Sequence, residues 1–183
     1  WEPSYLPDTN KSFSENVADG NQALPPCHAM FQFWCNEYDF ETRMEMMRDE
    51  YPTANADTNG YVDKEKMLDA YNIPKGELRC HLYQRSCDVG LGVPFNIVQY
   101  SILTHMIAHV TGYEATEFVW TGGDVHIYNN HIEQLQEQVK RTPYNPPKLK
   151  LNSNVKNIDD FKYEDFEIIG YEYHPKIEMK VSA

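Results

Sequence analysis

The stretch YQRSCDVGLGVPFN, residues 83–96, joins a predicted strand to a predicted helix and carries most of the side chains suited to binding a ligand. Apolar residues that alternate with polar ones predict the strand over residues 77–85. Pro94 suits the first turn of the helix, which runs to about Thr111, and Gly112 is a typical terminator. Because this helix is apolar on most faces, we expect it to lie in the core.

The segment LPPCH, residues 24–28, offers a cysteine nucleophile beside a histidine. Two prolines restrict the backbone ahead of Cys27, and a thiolate would be the reactive form of its side chain. Taken alone, Cys27 is better explained as a buried, inert cysteine at a strand end, because such cysteines outnumber reactive ones. The nucleophile hypothesis therefore depends on the residues around it.

Several side chains of residues 83–96 suit the parts of a nucleotide. Arg85 and Ser86 supply a forked cation and a hydroxyl for a phosphate, the alternative being an ion pair with surface acids. Asn96 can donate and accept at once, which matches a uracil edge, the alternative being a helix cap. Gly90 and Gly92 either admit a flat ligand or only shape a turn. Together with Cys27 they favour an enzyme that acts on a nucleotide.

Composition limits the classes of protein that fit. The length of 183 residues suits one domain with a substantial core. A net charge of -12 argues against a broad DNA-binding face, although a mononucleotide needs only a local basic pocket. The four cysteines lack zinc-type spacing and favour a reducing cytoplasm. No apolar run is long enough to span a membrane, so we expect a cytoplasmic protein without a membrane partner.

The remaining elements are predicted from periodicity and turn residues. Residues 1–23 are rich in Pro, Asn, Asp and Ser, which predicts a loop. The other predicted elements are a buried strand over residues 29–36, a short strand over 117–121 that ends in a turn at Gly122 and Gly123, a helix over 131–141 capped by Asn129 or Asn130, and strands over 148–151 and 166–171.

Residues 37–75 are predicted to form an acidic insertion between two apolar strands. From Glu37 to Asp69 there are ten acids and four bases, so this segment carries half of the net charge of the chain. Two short helices are expected, near residues 41–50 and 63–71. Residues 55–63 resemble a calcium loop, but Lys66 stands where a bidentate glutamate is needed, so a plain turn is preferred.

His105 and His109 lie one turn apart on the apolar helix, a spacing that suits a metal. The residues between them lack the glutamate of a zinc-protease helix. Histidines of a core or an interface are therefore the preferred interpretation, and no metal is expected.

Taken together, these segments resemble thymidylate synthase. The matching stretches are ALPPCHAMFQF at residues 23–33, GEL at 76–78 through Asn96 and Ile97, FVWTGGDVHIYNNH at 118–131, and the motifs DDF at 159–161, EDF at 164–166, GY at 170–171 and HP at 174–175. The similarity covers about residues 23–36 and 76–183. It implies a single thymidylate synthase-like catalytic domain over residues 1–183 with an acidic insertion at about 37–75. The implied fold is α+β, a mixed sheet covered by helices with a long buried central helix, in a homodimer that packs sheet against sheet.

The resemblance implies a reductive methylation of dUMP to dTMP, with 5,10-methylenetetrahydrofolate supplying carbon and hydride and without a metal. Cys27 would add to C6 of the uracil. Asn96 would bind the base edge and stabilise charge at O4, and Asp88 would hydrogen-bond the pterin. The other implied site residues are Arg85 and Ser86, with Gln84, for the phosphate, His126 and Tyr128 for the sugar 3′-hydroxyl, Leu91, Gly92 and Phe95 for the folate, and Ala183 for the closing C-terminus.

The chain departs from the family pattern in four ways. The N-terminal half of the family is absent, so we expect little turnover from this chain alone. The loop before Cys27 is enlarged, residues 37–75 replace a tight connection, and the chain ends in a small residue, Ala183. Two alternatives stay open. One is a deoxyuridylate hydroxymethylase of the same fold, and the other is a non-catalytic fragment that acts as a binding module through its acidic insertion. Asn96 argues against a cytosine substrate.

Overall fold

The computed structural model describes residues 3–22, 25–53 and 63–182. Its main sheet has three strands in the order β1 (His28–Glu37), β2 (Gly76–Asp88) and β3 (Glu114–His126). β1 runs antiparallel to β2, whereas β2 and β3 are parallel. The predicted strands at 29–36 and 77–85 are therefore confirmed, and the predicted mixed sheet with helices, an α+β fold, is observed.

Helix α4 (Gly92–Thr111) is the crossover that a parallel pair of strands requires. It begins two residues before Pro94 and ends where Gly112 adopts a left-handed conformation with φ 78°, as predicted. Tyr100 packs with residues of β2 in the core. Only one face of α4 is buried, however, and Phe95 is 69% exposed. Burial on most faces is therefore not observed, because the described residues cover the helix mainly from the side of the sheet.

Strand β1 is an edge strand and not a buried one. In the described part of the chain it pairs with β2 alone. Its outer face carries Met30, 60% exposed, and Trp34, 66% exposed. Phe33, on the inner face, packs against the core. The apolar composition of β1 thus predicted the strand correctly but not its exposure, because the face away from α4 is left open.

Strand β3 is longer than predicted and contains the glycine pair. Instead of forming a turn, both glycines lie inside β3: Gly122 pairs with Gln84 of β2, and Gly123 is the next residue of the strand. A Cβ at Gly122 would come within 2.6 Å of the Trp120 ring, and one at Gly123 within 2.9 Å of the Tyr83 hydroxyl. The predicted turn is therefore wrong, since glycine serves close packing here.

The remaining elements follow the predictions with two exceptions. Residues 1–23 are not all loop, because α1 (Phe13–Ala18) begins at a capping box made by Ser12 and Glu15. Helix α5 (Ile132–Gln138) is shorter than predicted and follows a 3-10 turn, without a side-chain cap from either asparagine. The predicted strands near the C-terminus are observed as the antiparallel pair β4 (Lys148–Leu151) and β5 (Phe166–Ile169).

Residues 37–75, hereafter the acidic lobe, contain the two predicted helices, α2 (Phe40–Glu50) and α3 (Lys64–Ala70). They enclose a small core of their own, composed of Met44, Met47, Leu68 and Ile73. Arg43 is buried beside this core and donates to the Ile73 carbonyl over 3.0 Å and to Asp69 over 2.7 Å. The candidate calcium loop lies almost wholly outside the described residues. Across the described ranges, no helix is both long and apolar enough for a membrane crossing.

Candidate active site

A cavity of about 610 Å³ opens where β2 and β3 end and β1 begins. Ligands of open α/β sheets bind at such carboxyl ends of strands. The sequence-predicted site residues in its wall are Cys27, Gln84, Arg85, Ser86, Asp88, Leu91, Gly92, Asn96, His126 and Tyr128. Phe95 is not part of the wall and is largely exposed on α4. Ala183 lies outside the described residues, but Val181 and Ser182 before it line the cavity.

Arg85 holds the loop that carries Cys27. Its Nε donates to the Pro26 carbonyl over 3.0 Å and its Nη2 to the Pro25 carbonyl over 3.3 Å. The backbone N–H of Arg85 donates to the Cys27 carbonyl over 2.9 Å, which continues the pairing of β2 with the loop. These bonds use two of the five guanidinium N–H groups, so the others can reach an anion in the cavity.

Cys27 is the cysteine of the cavity. The residue is half-buried, and its thiol lies 3.8 Å from the Pro25 carbonyl oxygen. Cys80 and Cys87 are buried in the sheet, and burial raises the pKa of both thiols, which keeps them protonated. Cys35 lies on the exposed edge strand away from the cavity.

Three side chains form a relay that sets the orientation of Asn96. The indole Nε1 of Trp120 donates to Oε1 of Gln84 over 3.1 Å, and Nε2 of Gln84 donates to Oδ1 of Asn96 over 2.8 Å. An indole N–H can only donate, so the orientation of both amides follows. Asn96 is left with its NH₂ group for the cavity. Gln84 is buried behind it, with both ends of its amide bonded to protein.

His28 lines the cavity although the sequence singled it out only as a neighbour of Cys27. Its Nδ1 lies 3.2 Å from the Tyr100 hydroxyl, and the two rings meet edge-on. Burial lowers the pKa of His28, and a hydrogen bond with Asn96 opposes that shift. The ring is therefore neutral near pH 7. Its place next to Cys27 was the one signal in the sequence that could have assigned it to the site.

His126, the last residue of β3, and Tyr128, which follows the strand, form another part of the wall. Their rings meet edge-on with centroids 5.1 Å apart. Nδ1 of His126 lies 3.2 Å from the Asp124 carbonyl and 3.7 Å from the Asp124 carboxylate. A ring nitrogen and a phenol hydroxyl at this wall suit a ligand hydroxyl.

Asp88 stands at the end of β2, with one carboxyl oxygen engaged by protein. Oδ1 accepts from the Gly90 N–H over 3.0 Å and lies 3.7 Å from Nδ1 of His131. His131 is fully buried, and its Nε2 lies 2.7 Å from the Lys180 carbonyl. The C-terminal tail, residues 176–182, is thus held beside Asp88. Sequence reasoning missed His131, since nothing in its local sequence points to the tail.

The paired histidines of α4 do not meet in a metal centre. His105 is exposed, and Nε2 of His109 lies 2.9 Å from the Val155 carbonyl. Within the ranges that the structure describes, no group of three or more His, Cys, Asp or Glu side chains could hold a metal. His109 instead links α4 to the segment after β4.

Comparisons with known proteins agree with the resemblance. A family model described as thymidylate synthase matches residues 11–183, a wider range than the segments that carried the resemblance. The chain is 44% identical over its full 183 residues to a thymidylate synthase of Francisella philomiragia subsp. philomiragia. It is 42% identical over the same length to one of Francisella tularensis subsp. holarctica. In both cases it spans 53% of the relative, about half of its length.

Proposed function

Because the chain belongs to the thymidylate synthase family, we propose that it carries the nucleophile and the nucleotide-binding part of an enzyme that reductively methylates dUMP to dTMP. The observation that carries this proposal is the single cavity that gathers the thiol of Cys27, the guanidinium of Arg85 and the oriented amide of Asn96. These groups suit the base carbon, the phosphate and the base edge of one nucleotide.

Cys27 is the proposed nucleophile. Its thiolate forms a bond to C6 of the uracil, the C5–C6 double bond breaks, and the electron pair moves toward O4 as an enolate. C5 thereby becomes nucleophilic, which is how covalent catalysis activates an otherwise inert ring carbon. Support comes from the protonated, buried state of Cys80 and Cys87 and from the position of Cys27 in the cavity.

Asn96 stabilises that charge. The relay from Trp120 through Gln84 directs the Asn96 NH₂ toward the cavity, so it can donate to O4 without reorganising. A donor fixed in advance toward developing charge is among the strongest contributions to catalysis. In this proposal Gln84 orients Asn96 and does not bind the phosphate, because both ends of its amide are bonded to protein.

Arg85 and Ser86 bind the phosphate, and His126 and Tyr128 bind the sugar hydroxyl. Both residues line the cavity near the end of β2, and the guanidinium keeps N–H groups that are not bonded to the Pro25 and Pro26 carbonyls. A forked, permanently charged donor suits a phosphate dianion despite the acidic chain, because the charge of the pocket and not the net charge decides binding.

5,10-Methylenetetrahydrofolate, as co-substrate, supplies the carbon and the hydride. The residues at the far end of the cavity fit a polar heterocycle: Asp88 has one carboxyl oxygen left for a ligand N–H, and Leu91 and Gly92 line the wall beside it. Phe95 and Ala183 are proposed to contact the same molecule. No metal takes part in this proposal.

A complete site requires more than this chain. We expect little turnover from it in isolation, since it spans about half of its relatives. A homodimer that packs sheet against sheet is supported by the open outer face of the sheet, where Met30, Trp34, Tyr83 and Val119 are exposed. A cytoplasmic location, without DNA or membrane partners, belongs to the same proposal.

The test is peptide mass spectrometry of the complete protein after incubation with 5-fluoro-dUMP and 5,10-methylenetetrahydrofolate. We expect a covalent adduct of both compounds on the Cys27 peptide. Cys27→Ser should abolish the adduct while dUMP still binds, because a hydroxyl is a far weaker nucleophile. Cys35→Ser, on the edge strand, is the matched control and should leave the adduct intact.

Two results would contradict the proposal. A folded dimer that forms no adduct would favour the non-catalytic binding module. A 5-hydroxymethyl product from dUMP, in place of the 5-methyl product, would favour the hydroxymethylase of the same fold.

A further inference from the structure

A fully buried histidine, His131, connects the C-terminal tail to an aspartate of the cavity wall. None of its side chain is exposed. Nε2 lies 2.7 Å from the carbonyl oxygen of Lys180, and Nδ1 lies 3.7 Å from Oδ1 of Asp88. One imidazole ring therefore contacts the tail on one side and the candidate site on the other.

The Lys180 contact decides which ring nitrogen of His131 carries a proton. A carbonyl oxygen can only accept, so Nε2 must be the N–H donor. In a neutral ring, Nδ1 then carries a lone pair, and it has no hydrogen-bond partner in the part of the chain that is described. It faces an oxygen of Asp88, and an ionised carboxylate also only accepts.

Two acceptors that face each other repel. The pair becomes attractive when one proton lies between them, on Nδ1 of His131 or on the carboxyl of Asp88. The separation of 3.7 Å is roughly 0.8 Å longer than an ordinary N–H···O bond. A small movement of the tail or of Asp88 therefore makes or breaks a hydrogen bond here.

The packing around His131 is too tight for a larger neighbour. A Cβ at Gly90 would come within 2.7 Å of Nδ1 and within 3.4 Å of the sulfur of Met179 in the tail. The N–H of the same Gly90 donates to Oδ1 of Asp88 over 3.0 Å. Gly90 is thus small because His131 and the tail approach it, which answers the question that the sequence left open for this glycine.

We propose that His131 is a positioning residue that couples docking of the C-terminal tail to the hydrogen-bonding state of Asp88. In the structure the Lys180 carbonyl holds Nε2–H and keeps Nδ1 3.7 Å from Oδ1 of Asp88, and a further approach of the tail closes this gap to a hydrogen bond that shares one proton. The second carboxyl oxygen is then oriented toward the ligand. When the tail leaves, the ring can turn, and Asp88 loses that partner. The inference rests on the proposed function, which assigns Asp88 to the folate.

Two substitutions separate the two contacts of the ring. His131→Gln keeps an amide N–H near the position of Nε2 but removes the group at Nδ1. His131→Asn keeps a polar group near Nδ1 but is too short to reach Lys180. Asn130→Ala is the matched control, because it removes a neighbouring tail contact, the 3.0 Å bond from Ser182, without involving Asp88.

In the complete protein, we expect both His131 variants to raise the KM for 5,10-methylenetetrahydrofolate on the order of tenfold or more, since small misplacements at a site are costly. The dissociation constant for dUMP should stay unchanged in both. Asn130→Ala should raise this KM less than either His131 variant does, because it weakens tail docking by one bond but keeps the contact between His131 and Asp88.

Hydrogen exchange supplies a readout that does not require turnover. Asp88→Asn should accelerate exchange of the backbone amides of residues 176–182, although no hydrogen bond or ion pair among the described residues joins Asp88 to them. A residue that only supported the local fold would not transmit this change.

Three results distinguish the possibilities. The first is that His131→Gln keeps full activity and that Asp88→Asn leaves the hydrogen exchange of the tail unchanged. His131 would then only anchor the tail, and the coupling would be overturned. Full activity of His131→Asn would reduce it to a partner of Asp88, with the same consequence. A parent protein without folate-dependent turnover would instead contradict the proposed function, and the exchange experiment would still decide the coupling.

Discussion

Nε2 of Gln84 donates to Oδ1 of Asn96 over 2.8 Å, and the far end of the same glutamine accepts from the indole of Trp120. Because the indole cannot accept, this pair of bonds allows only one orientation of each amide. Trp120, on the neighbouring strand, therefore sets the orientation of Asn96 through Gln84. The proposed function uses this orientation to recognise uracil.

Gln84→Glu should invert that orientation. At mildly alkaline pH a carboxylate would face Oδ1 of Asn96, so the Asn96 amide should turn, donate to the new acid and present its oxygen to the cavity. We expect dUMP binding to weaken by about 1–3 kcal/mol, while dCMP, which offers a donor at the same position, loses less.

Calorimetric titration of the complete protein with both nucleotides measures this prediction. Trp120→Phe, which removes the donor to Gln84 together with part of the ring that packs beside Gly122, should produce a smaller change in the same direction. An unchanged ratio of dUMP to dCMP affinity in Gln84→Glu would show that the relay does not set the specificity of Asn96.

Arg85→Lys should impair both nucleotide binding and attack by Cys27. Lysine keeps the charge but cannot bridge the Pro25 and Pro26 carbonyls as the guanidinium does. Loss of charge-assisted bonds of this kind costs about 1.5–3 kcal/mol each. Ser86→Ala, which leaves the loop intact, should weaken dUMP binding alone.

The two variants are compared by the dissociation constant for dUMP and by the rate of adduct formation at saturating nucleotide. If Arg85→Lys formed the adduct at the parental rate once saturated, Arg85 would bind the ligand without positioning the nucleophile.

Leu68→Ala should destabilise the acidic lobe without weakening dUMP binding. Leu68 is fully buried in the small core between α2 and α3. Deleting a buried leucine to alanine costs about 2–5 kcal/mol. Hydrogen exchange over residues 40–50 and 64–73 should therefore accelerate, whereas exchange over β2 and β3 should not.

Lys66→Ala, on the exposed face of the same helix, is the control, since surface ion pairs such as its contact with Asp63 contribute little. Loss of dUMP affinity in Leu68→Ala would mean that the lobe supports the site.

His28 should make the folded state less stable in mild acid. Burial lowers the pKa of His28 in the folded protein below its ordinary value of about 6.5. The unfolded chain therefore binds a proton more readily as the pH falls below that value, and stability declines until the lower, folded-state pKa is passed.

Urea unfolding between neutral and mildly acidic pH measures this dependence. In His28→Gln the slope of unfolding free energy against pH should be smaller than in the parent, because a glutamine does not titrate. Equal slopes would assign the dependence to other groups.

Much of the local structure could be predicted from the sequence, because it depends on near neighbours. Gly112 ends α4 where expected, and β4 has the predicted bounds. The loop prediction for the N-terminal segment overlooked Ser12 and Glu15, whose spacing is itself a local signal for a helix. The turn predicted at Gly122 is wrong because this position needs a glycine for close packing against the Trp120 ring and not for a turn of the backbone.

Some residues of the candidate site could likewise be predicted from the sequence, and others could not. Cys27, Arg85, Ser86 and Asn96 could be selected from the sequence, because their chemistry is recognisable and three of them lie in one short stretch. His28 had only its place beside Cys27 as a signal. The relay through Trp120 had none, because a hydrogen-bonding role appears only when a partner is known.

The sequence by itself determined the strands, the crossover helix and the chemical types of group at the site, since periodicity and residue identity are properties of the chain. The tertiary structure alone decided which groups meet. Pairing of β2 with β3 brings Trp120 to Gln84, and docking of the tail brings Lys180 to His131. Orientation and proton position depend on those distant partners, because a hydrogen bond is defined by geometry between two groups and not by either group alone.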